Sequence, residues 1–206
     1  NDSALIHLNQ TAQQFAKHQW SAAPMGEHFQ TNDAVAPQSI INPARHSDVV
    51  GYVQEATTEQ VEQALNNAQA VQDIWARTAK DTRASYLLRA ADLMEARLEE
   101  LMVLLCRESG KTYANAIAEV REAVDFLRYY ATQMIDLDAN AEVEPLGTML
   151  CISPWNFPLA IFTGQVAAAL VAGNTVIAKP AEQTPLIAAQ AIQILWQAGV
   201  PQAAVQ

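Results

Sequence analysis

The sequence has few cysteines and few basic residues. Its two cysteines, Cys106 and Cys151, lie far apart, which is too little thiol for a disulfide framework. Only 12 residues are Lys or Arg against 22 Asp or Glu, so the formal net charge is -10. Nucleic-acid binding depends on clustered basic residues, and this charge balance therefore argues against a polyanionic partner.

Long apolar runs are also missing. No run free of polar residues reaches the roughly 18 residues that a membrane-spanning helix needs. The first residues lack the basic region followed by an apolar region that marks an export signal. We therefore expect a cytoplasmic protein without a membrane span. Its 206 residues are enough to bury a sizeable core in one or two domains.

The most informative stretch, residues 145–185, predicts a strand, a helix and a second strand. Leu146–Ile152 is almost uniformly apolar, which is typical of a parallel strand buried on both faces. Leu159–Val171 is apolar on every side, as a helix packed on a sheet would be, and Gly173 is a helix stop signal. Thr175–Ala178 is a second short apolar strand. Two parallel strands joined by a helix form half of a mononucleotide-binding unit.

Polar residues follow both of these strands. Ser153, Trp155 and Asn156 come after the first strand, and Lys179 and Glu182 come after the second. In open α/β sheets, ligands bind at the carboxyl ends of the strands. These five residues are therefore candidates for a ligand site.

The rest of the chain is predicted to be mainly helical. Thr57 and Gln60 have the spacing of a capping box that starts a helix. Helices are predicted at Ser3–Ala22, Thr57–Trp75, Asp81–Glu108 (one long or two consecutive), Tyr113–Ile135 and Pro185–Ala198, with Thr184 as the cap of the last. Two further strands, Ser39–Asn42 and Val49–Glu55, are expected to form a hairpin. Val205 and Gln206 resemble the start of another strand.

Several segments together identify a family. The run CISPWNFPLAIFTGQVAAALVAGNTVIAKPAEQTP, with INPARHSDVVGYVQEAT, ESGKT and AEVREAVDFLRYYA before it, resembles the aldehyde dehydrogenase superfamily from about residue 38 onward. Within that superfamily the sequence is most similar to the glutamate semialdehyde (1-pyrroline-5-carboxylate) dehydrogenase module of bacterial proline utilization A. The resemblance implies an α/β fold that forms the N-terminal part of an aldehyde dehydrogenase domain. Residues 1–144 would be a helical segment with a short hairpin, and 145–206 the truncated first half of a Rossmann-like NAD-binding unit with a partial parallel sheet.

The family's chemistry follows from the resemblance. A parent enzyme of this kind oxidises L-glutamate 5-semialdehyde to L-glutamate with NAD in proline catabolism. In the family, a cysteine thiolate attacks the aldehyde, hydride passes to the nicotinamide of NAD, and a glutamate-activated water hydrolyses the resulting thioester. The resemblance assigns Asn156 as the catalytic side-chain donor to the oxyanion, a task that an amide suits because it donates without titrating. The alternative is a turn asparagine that bonds its own backbone.

Seven residues match the family's cofactor positions. Lys179 and Glu182 would hold the adenosine ribose, and the carboxylate of Glu182 favours NAD, with NADP as the alternative. A surface ion pair with nothing bound is the competing interpretation of these two residues. The full set is Ile152, Ser153, Pro154, Trp155, Lys179, Ala181 and Glu182. No G-x-G-x-x-G motif lies near the first strand, as the resemblance implies, because this family's cofactor crosses the sheet differently.

Substrate contacts are assigned to two residues. Phe157 matches an aromatic that packs against the aldehyde, and Glu122 matches a carboxylate near the substrate entrance. A core phenylalanine and a solvated helix face are the respective alternatives.

Neither Cys106, on a helix, nor Cys151, in an apolar strand, fits the nucleophile, since desolvation keeps a thiol protonated. We therefore expect a fragment that is inactive alone, whose parent supplies the cysteine and the general-base glutamate beyond Gln206. No metal is implied, and the parent is expected to be a homo-oligomer.

Three rival functions remain at this point. The first is that the parent is a broad-specificity aldehyde dehydrogenase, because the residues that bind the substrate carboxylate lie outside this sequence. A non-catalytic interaction fragment would instead pair its exposed strand edge with another chain. A phosphate-binding loop is suggested by Ser109–Thr112, but the glycine that it needs at position 105 is Leu and the preceding residues are helical.

Overall fold

Helices packed around two small sheets make up the fold. The structure, a computed structural model, describes residues 2–26, 36–137 and 143–206. The helices are α1 (Asp2–Gln14), α2 (Thr58–Arg77), α3 (Lys80–Ala96), α4 (Leu98–Ser109), α5 (Tyr113–Asp136), α6 (Ala160–Val171) and α7 (Pro185–Gln197), with a 3-10 turn at Gln202–Ala204. The strands are β1 (Trp20–Ala22), β2 (Gln38–Ile41), β3 (Val49–Val53), β4 (Met149–Ile152) and β5 (Val176–Lys179). The predicted α/β class is confirmed.

The first sheet has the strand order β1-β3-β2. Its antiparallel β2–β3 pair confirms the predicted hairpin. The prediction of one helix over Ser3–Ala22 is wrong in its second half, because α1 ends at Gln14 and β1 pairs in parallel with β3. A Cβ on Gly51 would lie 2.1 Å from the Trp20 carbonyl oxygen, so this close pairing requires glycine at position 51.

After the hairpin, the helix boundaries in the structure lie close to the predicted ones. Thr57 and Gln60 form both bonds of the capping box, at 2.9 and 3.3 Å. The apolar stripe predicted over Asp81–Glu108 belongs to two helices, α3 and α4, which are separated at Arg97. Helix α4 stops at Gly110, whose positive φ of 71° is a left-handed conformation that glycine adopts without strain.

The second sheet contains the predicted strand-helix-strand unit. Strands β4 and β5 are parallel, with Ile152 opposite Lys179, and α6 connects them. Val205 forms a parallel bridge with Val176, and the backbone of Gln206 exchanges hydrogen bonds with Val176 and Ala178. The sheet therefore continues past β5, as the last two residues predicted.

The prediction that Leu146–Ile152 is buried on both faces is wrong. Strand β4 begins only at Met149, and Leu150 and Ile152 are 61% and 57% exposed, whereas Cys151 between them is buried. Side chains alternate across a strand, so the two exposed residues share one face. Within the described ranges no element covers that face.

One hydrophobic core links both segments of the chain. It contains Trp20 and Val50 from the first sheet, Val176 and Val205 from the second, and residues of every helix from α2 to α7. The Trp75 indole also donates to the Leu170 carbonyl oxygen at 3.1 Å, which joins α2 to α6. Helices α6 and α7 are thus fixed relative to the helical segment. In the part of the chain that the structure describes, every helix is too short or too polar to cross a membrane.

Candidate functional site

The carboxyl ends of β4 and β5 lie side by side. The Ser153 amide donates to the Lys179 carbonyl oxygen at 3.2 Å, immediately after the last paired residues of both strands. Ser153 is only 5% exposed, and its hydroxyl has no hydrogen-bond partner among the described residues. The polar positions singled out in the sequence therefore begin at one edge of the sheet.

The loop that follows β4, which we call the Asn156 loop (residues 153–159), presents its central side chains outward. Trp155 and Phe157 are 56% and 41% exposed, and Asn156 is exposed as well. The Asn156 side-chain amide makes no hydrogen bond to any residue in the described ranges. Its N–H groups are free to donate outward, so it is not a turn asparagine that bonds its own backbone.

Lys111 supports the middle of this loop. Its ammonium donates to the Asn156 carbonyl oxygen at 2.8 Å and forms an ion pair with Glu119 Oε2 at 2.8 Å. It also lies 4.5 Å from the centroid of the Phe157 ring, a cation–π distance. Sequence reasoning missed this residue, because the ESGKT segment was used only as part of the family resemblance and as a possible phosphate loop.

Glu119 supports the end of the loop. Its side chain is fully buried, and Oε1 accepts hydrogen bonds from the Leu159 and Ala160 amides at 2.8 and 3.3 Å. These amides begin α6, where the helix N-terminus favours a carboxylate. The sequence predicted no polar role for Glu119, which shares a helix with the exposed Glu122.

Glu108 performs the same task for α7. It accepts from the Leu186 and Ile187 amides at 2.6 and 2.9 Å. Burial raises the pKa of Glu108 to about 8, although the two amide bonds oppose that rise. The predicted cap, Thr184, occupies the N-cap position but its buried hydroxyl makes no hydrogen bond among the described residues. The carboxyl group of Glu108, on another helix, caps α7 in its place.

The second strand end borders a cavity of about 460 Å³. Lys179 Nζ lies 3.4 Å from Glu182 Oε1, and both side chains are well exposed. The cavity wall includes Lys179, Ala181 and Glu182, with apolar residues such as Val53 and Phe162 behind them. Three of the seven predicted cofactor residues therefore line one cavity. The other four, Ile152, Ser153, Pro154 and Trp155, and the catalytic candidate Asn156 lie outside its wall, on the adjoining Asn156 loop and strand end.

The two substrate candidates differ in their surroundings. Phe157 lies on the Asn156 loop against Lys111, so it is not a core phenylalanine. Glu122 is exposed on α5, one turn after Glu119. Arg128, a basic neighbour on the same helix, pairs with Asp92 and Glu95 instead of Glu122. The substrate roles of Phe157 and Glu122 stay predictions.

Both cysteines are held as thiols. Burial raises the pKa of Cys106 to about 11 and also raises the pKa of Cys151. Neither is therefore activated as a nucleophile.

The residue that a phosphate-binding loop would need as glycine, Leu105, is buried inside α4, which excludes that alternative. Among the described residues, no group of three or more His, Cys, Asp or Glu is placed to hold a metal ion.

A parallel strand-helix-strand unit, with polar residues at the joined strand ends and a cavity beside them, is typical of α/β proteins of the nucleotide-binding class. The model of the aldehyde dehydrogenase family matches residues 29–206. The chain belongs to the aldehyde dehydrogenase family, which confirms the predicted resemblance.

Relatives of known name share much of this sequence. The chain is 56% identical over 206 residues to the bifunctional protein PutA of Escherichia coli (strain K12), covering 100% of this chain and 16% of that protein. It is 39% identical over 213 residues to the 1-pyrroline-5-carboxylate dehydrogenase of Anoxybacillus flavithermus (strain DSM 21510 / WK1), covering 98% of this chain and 41% of the relative. A crystal structure of 1-pyrroline-5-carboxylate dehydrogenase from Thermus with bound NAD superposes with a TM-score of 0.92 at 32% identity, covering 100% of this chain and 42% of that one. The chain thus spans less than half the length of each of these relatives.

Proposed function

We propose that this chain is the N-terminal part of the aldehyde dehydrogenase domain of an NAD-dependent enzyme that oxidises L-glutamate 5-semialdehyde to L-glutamate in proline catabolism. Residues 1–144 would be its helical segment and 145–206 the first half of its NAD-binding unit. The observation that carries the proposal is the adjacency of the two strand ends, where the Ser153 amide bonds the Lys179 carbonyl oxygen. The names of the relatives, PutA and 1-pyrroline-5-carboxylate dehydrogenase, support the substrate.

Asn156 is proposed to donate a hydrogen bond to the oxyanion that forms when a nucleophile adds to the aldehyde carbonyl. Its amide is exposed and unbonded within the described residues, while its backbone carbonyl is held by Lys111. A donor that is fixed before the charge develops stabilises the transition state without reorganising. Removing one such donor costs roughly 2.7 to 4 kcal/mol in the barrier.

The residues at the second strand end fit an adenosine ribose. The ammonium of Lys179 donates to a hydroxyl oxygen, and the carboxylate of Glu182 accepts from a hydroxyl, so the pair matches a diol. A 2′-phosphate would be repelled by Glu182, which favours NAD over NADP. The unpartnered Ser153 hydroxyl is a further group that a cofactor would satisfy. Bound NAD would accept the hydride of the oxidised aldehyde.

The remaining proposed contacts come from both sides of the strand ends. Ile152, Ser153, Pro154, Trp155 and Ala181 would line the cofactor cleft largely through their backbone. Phe157 and Glu122 would face the aldehyde. The raised pKa values of Cys106 and Cys151 leave both as thiols, so we propose that the nucleophilic cysteine and the general-base glutamate belong to other parts of a longer protein.

The longer protein that contains this chain, called below the longer enzyme, provides the test. Purified longer enzyme is given NAD with glutamate semialdehyde, or with acetaldehyde or propanal, and NADH formation is followed by absorbance. The proposal predicts NADH formation with a kcat/KM for glutamate semialdehyde at least about a hundredfold above that for the simple aldehydes, because a site built for polar groups rejects analogues that lack them. Equal values would identify a broad-specificity dehydrogenase, and no NADH formation would favour the non-catalytic alternative.

A further inference from the structure

We infer that Lys111, together with Glu119, is a positioning residue that sets the Asn156 amide for the oxyanion. The inference rests on the proposed function of Asn156. Lys111 is assigned a positioning role because its ammonium contacts the Asn156 carbonyl oxygen and Glu119 Oε2, each at 2.8 Å. It would act through the Asn156 loop.

Hydrogen bonds hold the Asn156 loop at its start, its middle and its end. Its start is fixed by the bond from the Ser153 amide to the Lys179 carbonyl oxygen. Its middle is fixed by Lys111 at the Asn156 carbonyl oxygen. Its end is fixed by Glu119, which accepts from the Leu159 and Ala160 amides. The backbone carbonyl of Asn156 is thus held by Lys111, while its side-chain amide has no partner among the described residues.

The Lys111–Glu119 pair makes this fastening rigid. The Lys111 side chain is 12% exposed and that of Glu119 is 0% exposed, so little water screens their ion pair. Each charge compensates the other in a place where a single charge would be strongly destabilising. The Glu119 carboxylate therefore connects the middle of the loop, which Lys111 contacts, to the first turn of α6.

An ammonium suits this position by its geometry. It carries three rotatable donors on a flexible stem and so reaches two oxygens in different directions. The same group faces the Phe157 ring at 4.5 Å, which restrains the residue that follows Asn156. A guanidinium would keep the charge but present a planar fork, so arginine at this position should restore the function only in part.

Loss of the contacts that hold the Asn156 loop should lower kcat and leave the affinity for NAD unchanged. A preorganised donor contributes only when it is held at the position that the oxyanion will occupy, and a misplacement of about 1 Å costs up to about 100-fold in rate. Loosening the loop should therefore lower kcat, whereas Lys179 lies within β5 and keeps its strand pairing with β4.

A double-mutant cycle in the longer enzyme tests the inference. Since Lys111→Met alone would strand the buried Glu119 charge, the informative variant is Lys111→Met/Glu119→Gln, in which a neutral amide still accepts from the Leu159 amide. We expect kcat to fall about 10- to 100-fold with an unchanged Kd for NAD. In an Asn156→Ala background the same pair of changes should lower kcat less than about threefold, because residues that act as a unit are not additive.

Matched controls separate positioning from general stability. Lys80→Met removes another lysine that bonds backbone carbonyls, those of Ile135 and Leu137, away from the Asn156 loop. It should leave kcat within about twofold, and Lys111→Arg should recover part of the lost rate. Equal losses from the Lys111→Met/Glu119→Gln variant in both backgrounds would overturn the inference, as would a parallel loss of NAD affinity.

Crystal structures give a readout that does not depend on turnover. In Lys111→Met/Glu119→Gln, Asn156 should shift by about 1 Å or more, or lose its ordered density, while Ser153 and Lys179 keep their positions. An unmoved loop would overturn the inference even if the enzyme is active. A wild-type enzyme without dehydrogenase activity would instead refute the proposed function. If the loop nevertheless shifts as expected in the variant, Lys111 positions the loop but has no role in aldehyde oxidation.

Discussion

Glu108 accepts a hydrogen bond of 2.6 Å from the backbone amide of Leu186, so the side-chain carboxyl group on one helix caps the start of another. It also accepts from the Ile187 amide, and its side chain is buried. Helix α7 begins directly after the segment that carries Lys179 and Glu182. The cap therefore fixes the cofactor side of the proposed site as Glu119 fixes the Asn156 side.

Removing the Glu108 cap should destabilise the fold. Glu108→Ala leaves two buried N–H groups without a partner and opens a cavity, and we expect it to lower the free energy of unfolding by about 2 to 4 kcal/mol. Urea denaturation followed by circular dichroism measures this value. Glu62→Ala, an exposed change on α2, is the control and should stay within about 0.5 kcal/mol of wild type. Equal effects of the two changes would show that the cap contributes nothing.

The raised pKa of Glu108 makes stability depend on pH in a defined direction. Between the usual value of 4.5 and about 8, the folded state keeps a proton that the unfolded state has released. The free energy of unfolding should therefore fall as pH rises through this range and level off above about 8. Glu108→Gln cannot titrate and should flatten this part of the profile. An unchanged slope in Glu108→Gln would show that another group titrates.

Asp48 should act in the opposite direction at acid pH. The hydrogen bonds from Arg107 lower the pKa of Asp48 from 3.8 to about 2, and both side chains are largely buried. The unfolded state binds its proton first as pH falls, so this stabilisation is complete above about 3.8 and is lost toward pH 2. Asp48→Asn should cost about 2 kcal/mol at pH 7 and far less at pH 2. A difference that is the same at both pH values would contradict this origin.

Coenzyme choice should depend on Glu182. In the longer enzyme, Glu182→Gln removes the charge that would repel a 2′-phosphate, and we expect the ratio of kcat/KM for NADP to that for NAD to rise about tenfold. Lys179→Met should weaken both coenzymes, because it removes a donor to the ribose that they share. Lys17→Met, an exposed change in the first 20 residues, serves as the matched control. A coenzyme ratio that does not respond to Glu182→Gln would place the ribose elsewhere.

Much of the secondary structure is readable from local pattern. The capping box at Thr57 and Gln60, the stop at Gly110 and the β4–α6–β5 unit all depend on residues close in sequence. Strand β1 was missed because its pairing is non-local: three residues adopt an extended form only through their bonds to β3. A helical apolar pattern earlier in the segment gave no sign of that partner.

The site was predictable only in part. Asn156, Lys179 and Glu182 stand directly after apolar strands, which is a local signal. Lys111 and Glu119 carry no such signal, since a charged residue on a helix is usually solvated and their burial depends on the loop that packs over them. The exposure of Leu150 and Ile152 was equally unpredictable, because an apolar strand does not show which of its faces is covered.

The most direct test of the central claim is the kcat of Asn156→Ala in the longer enzyme, measured by NADH formation from glutamate semialdehyde at saturating NAD. The proposed oxyanion role predicts a fall of about 100- to 1,000-fold, with the Kd for NAD unchanged. Asn156→Asp, which has nearly the same shape but no N–H donor, should lose at least as much. A kcat within about threefold of wild type in Asn156→Ala would contradict the account.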